Sequence, residues 1–122
     1  KSGSFTISAR LQRHFFTVGC QLPKDQDLVA IFSQICEAHF ASFSHQTQTA
    51  VLKIVEGTVT IFKEMARRFL PTAVKFHYHL NLRHLAAVFQ GLLRAAPAHH
   101  DGPRAVGRLW LHELHRAFAD RL

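Results

Sequence analysis

Ten histidines, two cysteines and fifteen lysines and arginines are the side chains of this 122-residue chain that chemistry would draw on, against eight aspartates and glutamates. His99 adjoins His100, and His112 stands one helical turn from His115, which raises metal binding. A zinc site brings three or four ligands together in tetrahedral geometry. Neither pair has a thiol or carboxylate set spaced to complete it, so no metal is expected. Cys20 and Cys36 have neither the CxxC spacing of a metal site nor the density of a disulfide scaffold, and both read as reduced, buried thiols. The chain carries no GxxxxGK[ST] phosphate loop, no GxGxxG, no GxSxG and no HExxH. No catalytic residue is therefore assigned to the isolated chain, which is expected not to be an enzyme alone.

One arginine stands out on physical grounds. Arg83 falls in the first turn of a helix that Asn81 would cap, where free backbone N–H groups already make a positive end. A cation there is mildly unfavourable unless an anion sits at the helix start, in which case guanidinium and amides hold a phosphate together. An exposed arginine pointing back into water accounts for the residue equally well.

These residues must be positioned by helices. After Pro23, Asp25 can cap a helix in which Leu28, Ile31, Phe32, Ile35, His39 and Phe40 recur at spacings of three and four. A second and longest helix runs from about Gln48, with Val51, Ile54, Val55, Thr58, Ile61, Phe62, Met65 and Phe69 in one stripe, and Pro71 ends it. A third starts at Asn81 and buries Leu82, Leu85, Val88, Phe89, Leu92 and Leu93. A fourth begins near Pro103, with Val106, Leu109, Trp110, Ala117 and Phe118 on one side. Such stripes are core faces far more often than cofactor boxes. Residues 1–12 read as irregular, and Pro97 to Pro103 as the one true loop. The run HFFTVGCQL, His14 to Leu22, reads as a short buried strand stopped by Pro23, and Lys75 to Leu80 as extended or an edge strand. A lone strand needs a sheet to join, and the rest of the chain offers none.

Composition bounds the whole. At 122 residues, 48% of them hydrophobic, the chain can bury one modest core. A formal charge of +7 permits an acidic partner: nucleic acid, a membrane surface or a tubulin-like face. The cations are scattered, and the dense set Lys63, Arg67 and Arg68 falls at a helix C-terminus, where the dipole favours it. Nucleic-acid binding wants a basic stripe interleaved with stacking aromatics, and is not expected. Nor is a membrane partner: no apolar run approaches the roughly 20 residues that span a bilayer, and no leader is apparent. A cytoplasmic compartment is the expectation. The chain opens on Lys rather than Met, so a piece of something longer is expected.

The string FLPTAVKFHYHLNLRHLAAVFQGLL, Phe69 to Leu93, resembles the lid signature of the third AAA+ module of axonemal dynein heavy chains, FLPTxIKFHYxFNLRDLxxxFQGLL. Upstream, GSFTISARLQRHFFTV is similar to that module's GSFTINPRLQRHFxVF. Downstream, RLWLHELHRAFADRL is similar to RLWLHExxRVYxDKL. The resemblance implies a mainly α fold: a helical AAA+ lid of about four helices over 23–122, preceded over 1–22 by the trailing strand of an α/β nucleotide domain.

It also implies that Arg83 is the sensor-two arginine reaching nucleotide in its own module. Arg10 and Arg13, the arginines of ARLQRHF, would lie where AAA+ proteins place the finger that reaches a neighbouring module's nucleotide. A rigid fork of donors suits either role. The parent would be an ATP-driven, minus-end-directed microtubule motor of cilia and flagella, located in cytoplasm, cytoskeleton and axoneme. It would use ATP or ADP with Mg2+, and its partners would be neighbouring AAA+ modules, dynein intermediate and light chains, and microtubules. Ser8 and Ala9 replace the usual Asn-Pro, His79 and Leu80 replace a hydrophobic residue and Phe, and His84 replaces an acid. That last change removes favourable charge from a helix start. The alternatives are a non-enzymatic basic helical adaptor for an acidic partner, and a decayed dynein paralogue.

Overall fold

A computed structural model describes residues 7–121. Its elements are all helical: α1 Ala9–Gln12, α2 Asp25–Phe40, α3 His45–Arg68, α4 Leu82–Leu92, α5 Pro97–His100 and α6 Pro103–Ala117, with 3₁₀ turns at Phe76–Tyr78 and Ala119–Arg121. The four long helices are the four that the apolar spacing predicts. They pack α2 on α3, α3 on α6 and α6 on α4.

Several local expectations are corrected. Among the described residues there is no strand: 14–22 run irregularly and stay exposed, and 75–80 hold a 3₁₀ turn instead of an edge strand. An aromatic, β-branched run becomes a strand only when a neighbour completes its hydrogen bonds, and no sheet is present to do so. Cys20, read as buried, is exposed on that run, whereas Cys36 is buried in α2. Burial pushes the Cys36 thiol up to about 11, with the Glu37 carboxylate adding to the shift. The loop read between Pro97 and Pro103 contains α5, and part of the irregular opening is α1; residues 1–6 lie outside the described residues.

The core joins all four long helices. Phe40, Val55, Leu85, Val88, Phe89, Leu92 and Val106 are almost fully buried, and the rings of Phe32 and Phe89 stack 4.1 Å apart. On α2 the core-facing line is Leu28, Cys36 and Phe40, all buried, with Phe32 half-buried between them, while Ile31 and Ile35 stay 48% and 44% exposed. The apolar arc of α2 is therefore wider than the face its neighbours cover. Buried polar groups are satisfied. Thr58 bonds back to the Ile54 carbonyl at 2.6 Å and accepts Trp110 Nε1–H at 2.9 Å, and a ring nitrogen of His39 lies 3.0 Å from the Ala95 carbonyl.

Candidate functional site

The start of α4 is built by its cap. Asn81 is extended, and its side-chain oxygen accepts the Arg83 N–H at 3.0 Å, while its backbone carbonyl accepts the His84 N–H at 3.0 Å. Asn81 N–H donates in return to Nδ1 of His84 at 3.1 Å, which closes a capping box. His84 thus does with a ring nitrogen what an acid does at this position: it holds the backbone turn without adding negative charge. Arg83, second in the helix, is exposed, and among the described residues its guanidinium makes no hydrogen bond or ion pair. The cap already uses the N–H groups of Asn81, Arg83 and His84, so the free donor that this helix start offers an oxyanion is the Arg83 guanidinium.

Beside this helix start lies a groove of about 540 Å³, walled by Asn81 and Leu82 on one side, Phe62 and Lys63 of α3 on another, and Leu22 with Pro23 at the mouth of α2. Lys63 is ion-paired with Asp25, so the charge at this wall is neutralised. The irregular N-terminal run therefore ends at the groove. Its arginines do not reach it: Arg10 lines a separate shallow hollow with Ser8, Leu11 and His14, and Arg13 donates to His14 Nε2 at 3.2 Å. Both are exposed, on or beside a helix with no buried residue.

What fixes the tilt of α4 is a contact that residue spacing did not reveal. Glu113 of α6 is 6% exposed, and its Oε2 accepts from Arg116 Nε and Nη2 at 2.8 and 2.6 Å. Arg116 Nη2 also reaches the Ala87 carbonyl of α4 at 3.3 Å. The Glu113 carboxylate lies against Gly91, where a Cβ would fall 2.1 Å from its Cδ and Oε2. Both residues lie within quoted strings, FQGLL and RLWLHELHR, yet only the tertiary fold brings them together. A second cross-chain clasp starts α3: Asp101 accepts the Ser44 N–H, the Ser44 hydroxyl and the Thr47 hydroxyl at 3.1, 2.7 and 2.7 Å. The Ser44 and Thr47 side chains hold its carboxyl below the usual range.

Among the described residues no three His, Cys, Asp or Glu side chains converge as metal ligands, and no helix is long and apolar enough to cross a membrane. His112 and His115 instead face Glu113 at 4.0 Å and Asp120 at 3.3 Å.

The AAA+ lid domain family matches residues 54–122. Over 99% of its length the chain is 42% identical to the flagellar outer arm dynein beta chain of Chlamydomonas reinhardtii. It is 43% identical over 98% to dynein axonemal heavy chain 11 of Sus scrofa, and 40% identical over 99% to dynein axonemal heavy chain 17 of Homo sapiens. In each case the chain spans about 3% of the relative's length.

Proposed function

The chain belongs to the AAA+ lid domain family, and from that premise we propose that it is the lid of the third AAA+ module in an axonemal dynein heavy chain, where it senses nucleotide and relays its state around the ring. Residues 23–122 form the lid, and residues 1–22 belong to the nucleotide-binding subdomain that precedes it. The parent is an ATP-driven microtubule motor of the ciliary axoneme, with neighbouring modules, intermediate and light chains and microtubules as partners.

The observation that carries this reading is the unpaired guanidinium of Arg83 in the first turn of a capped helix, whose preceding residues Asn81 and Leu82 line an open groove. ATP with Mg2+ supplies the phosphoryl bond whose cleavage drives the motor. Among the described residues the fit is to the phosphate side alone: Arg83 is a charge-assisted donor, and no carboxylate set for the metal converges. Arg83 would bind and orient the phosphate, and α4, tied to α6 through Arg116 and Glu113, would carry the displacement into the rest of the bundle. Arg10 or Arg13 would face the nucleotide of an adjacent module. Their exposure on α1 leaves them available to a neighbour.

The test compares Arg83→Ala with Leu85→Ala in the complete parent module. Arg83 is exposed and contributes little to packing, so its loss leaves thermal stability nearly unchanged and weakens nucleotide affinity by about tenfold, the worth of a charge-assisted contact of roughly 1.5 kcal/mol. Leu85 is fully buried, and truncating it costs about 2–5 kcal/mol through a cavity, with or without nucleotide. Unchanged affinity together with lowered stability in Arg83→Ala makes that residue structural and ends the sensor assignment.

A further inference from the structure

The outward face of α6 carries a charge pattern that the lid reading does not use. At about 100° per residue, Arg104, Arg108, Leu111, His112 and His115 share one arc about 100° wide, and all five are exposed. Val106, Glu113 and Ala117 occupy the opposite, buried side. The arc spans about 16 Å of helix at 1.5 Å per residue. It holds no acid. Four acids elsewhere are committed, Asp25 to Lys63, Glu64 to Arg67 and Arg68, Glu113 to Arg116, and Asp101 to the start of α3, while Glu37 and Glu56 lie exposed on α2 and α3. Asp120 stands beyond the C-terminal end of the arc, against His115. Among the described residues Arg104 and Arg108 have no ion pair, and Arg108 also walls a groove of about 350 Å³ with His99, His100 and Leu109. Leu111, 61% exposed, is an apolar residue set between the two arginines and the two histidines.

We propose that this face of α6 docks an acidic protein segment, one that brings carboxylates to Arg104 and Arg108 and an apolar side chain onto Leu111. Charge complementarity selects an anionic partner, and two features favour protein among the anions. Single-stranded nucleic acid would want aromatic rings to stack on, and the arc has none. A membrane-surface helix would need a broad apolar face, and the apolar face of α6 is consumed in the core, leaving Leu111 alone. The inference rests on the charge pattern of α6 and stands apart from the role of Arg83.

The probe is a synthetic acidic peptide with glutamates four residues apart around one leucine, titrated onto the full chain by fluorescence anisotropy. Duplex DNA and phosphatidylserine vesicles serve as competing anions. Arg104→Glu/Arg108→Glu should weaken peptide binding about tenfold or more, because like charges then face each other. Lys24→Glu/Lys53→Glu, which changes net charge equally at the cap of α2 and on α3, should leave it within about twofold, since screening confines surface charges to about 10 Å. A lysine-for-glutamate peptide should in turn bind the Arg104→Glu/Arg108→Glu chain better than the original peptide does, a reading that holds even if that variant is less stable. Equal weakening by the two double variants, no preference for the swapped peptide, or tighter binding of DNA or vesicles than of the peptide would overturn the proposal.

Discussion

At Gly91 the distance between two helices is set by the absence of one methyl group. Alanine is the better helix former by about 1 kcal/mol, so at an exposed helical position Gly→Ala would stabilise. Here the added Cβ would fall 2.1 Å from the carboxylate of Glu113, which is itself buried and held by Arg116. Relief requires Glu113 to leave its two hydrogen bonds or α4 to move off α6. Overpacking of this kind costs about 1–3 kcal/mol, so Gly91→Ala should be net destabilising in urea or thermal unfolding. The penalty should shrink sharply in a Glu113→Ala background, where the obstacle is gone; an equal effect in both backgrounds rules the contact out as the cause. Neither residue was legible as a pair. A buried glutamate on a helix looks from its spacing like a solvated one, because what buries it is a glycine 22 positions earlier that only the tertiary fold brings near.

At the scale of elements, the four long helices and the Asn81 cap could be read from periodicity, since three-and-four spacing and a capping side chain are local signals. The strands could not, because a strand needs a hydrogen-bonding partner and none is present among the described residues. Nor could the cap on α3. Ser44 precedes that helix and makes no side-chain bond to its backbone; its hydroxyl turns instead to Asp101, 57 residues later. The folded-state pKa of Asp101 is depressed, so its contribution to stability is present above the ordinary carboxylate pKa of 3.8 and is lost as pH falls through the lower folded value. Glu64, lowered to about 2 chiefly by its hydrogen bonds to Arg67 and Arg68, follows the same sign between pH 4.5 and about 2. Asp101→Asn should therefore flatten the acid-side fall of the melting temperature. Melting temperatures taken from pH 5 to pH 2 check this: a slope identical to that of the parent chain means that the clasp contributes nothing. Asp101 closes two segments far apart in sequence, whereas Glu64 bonds only within its own helix. Glu64→Gln should for that reason change the same profile less.

At the scale of the whole molecule the chain divides into a packed body and an unpacked leading stretch. Every residue from Ile7 to Leu22 is exposed, including Phe15, Phe16 and Val18 at 67%, 93% and 69%. Apolar side chains left in water contribute no burial to stability and invite association. The proposed boundary near residue 22 coincides with the point where burial begins. The lid body should then be indifferent to the loss of the stretch. Removing residues 1–22 should change unfolding free energy by no more than about 0.5 kcal/mol, the range of changes away from buried groups, while reducing concentration-dependent association. Leu22 lines the groove, so the deletion also tests how far that side chain supports α2 and α3. A loss of several kcal/mol would move the boundary upstream and make the stretch part of the lid. ATP hydrolysis can be followed in the same preparation. The chain has no phosphate loop, and the described residues hold no carboxylate set for Mg2+, so with or without residues 1–22 it should release phosphate no faster than buffer. Turnover that survives purification to homogeneity would mean that the bundle holds chemistry of its own, and the assignment as a lid acting on another subdomain's nucleotide would fall with it.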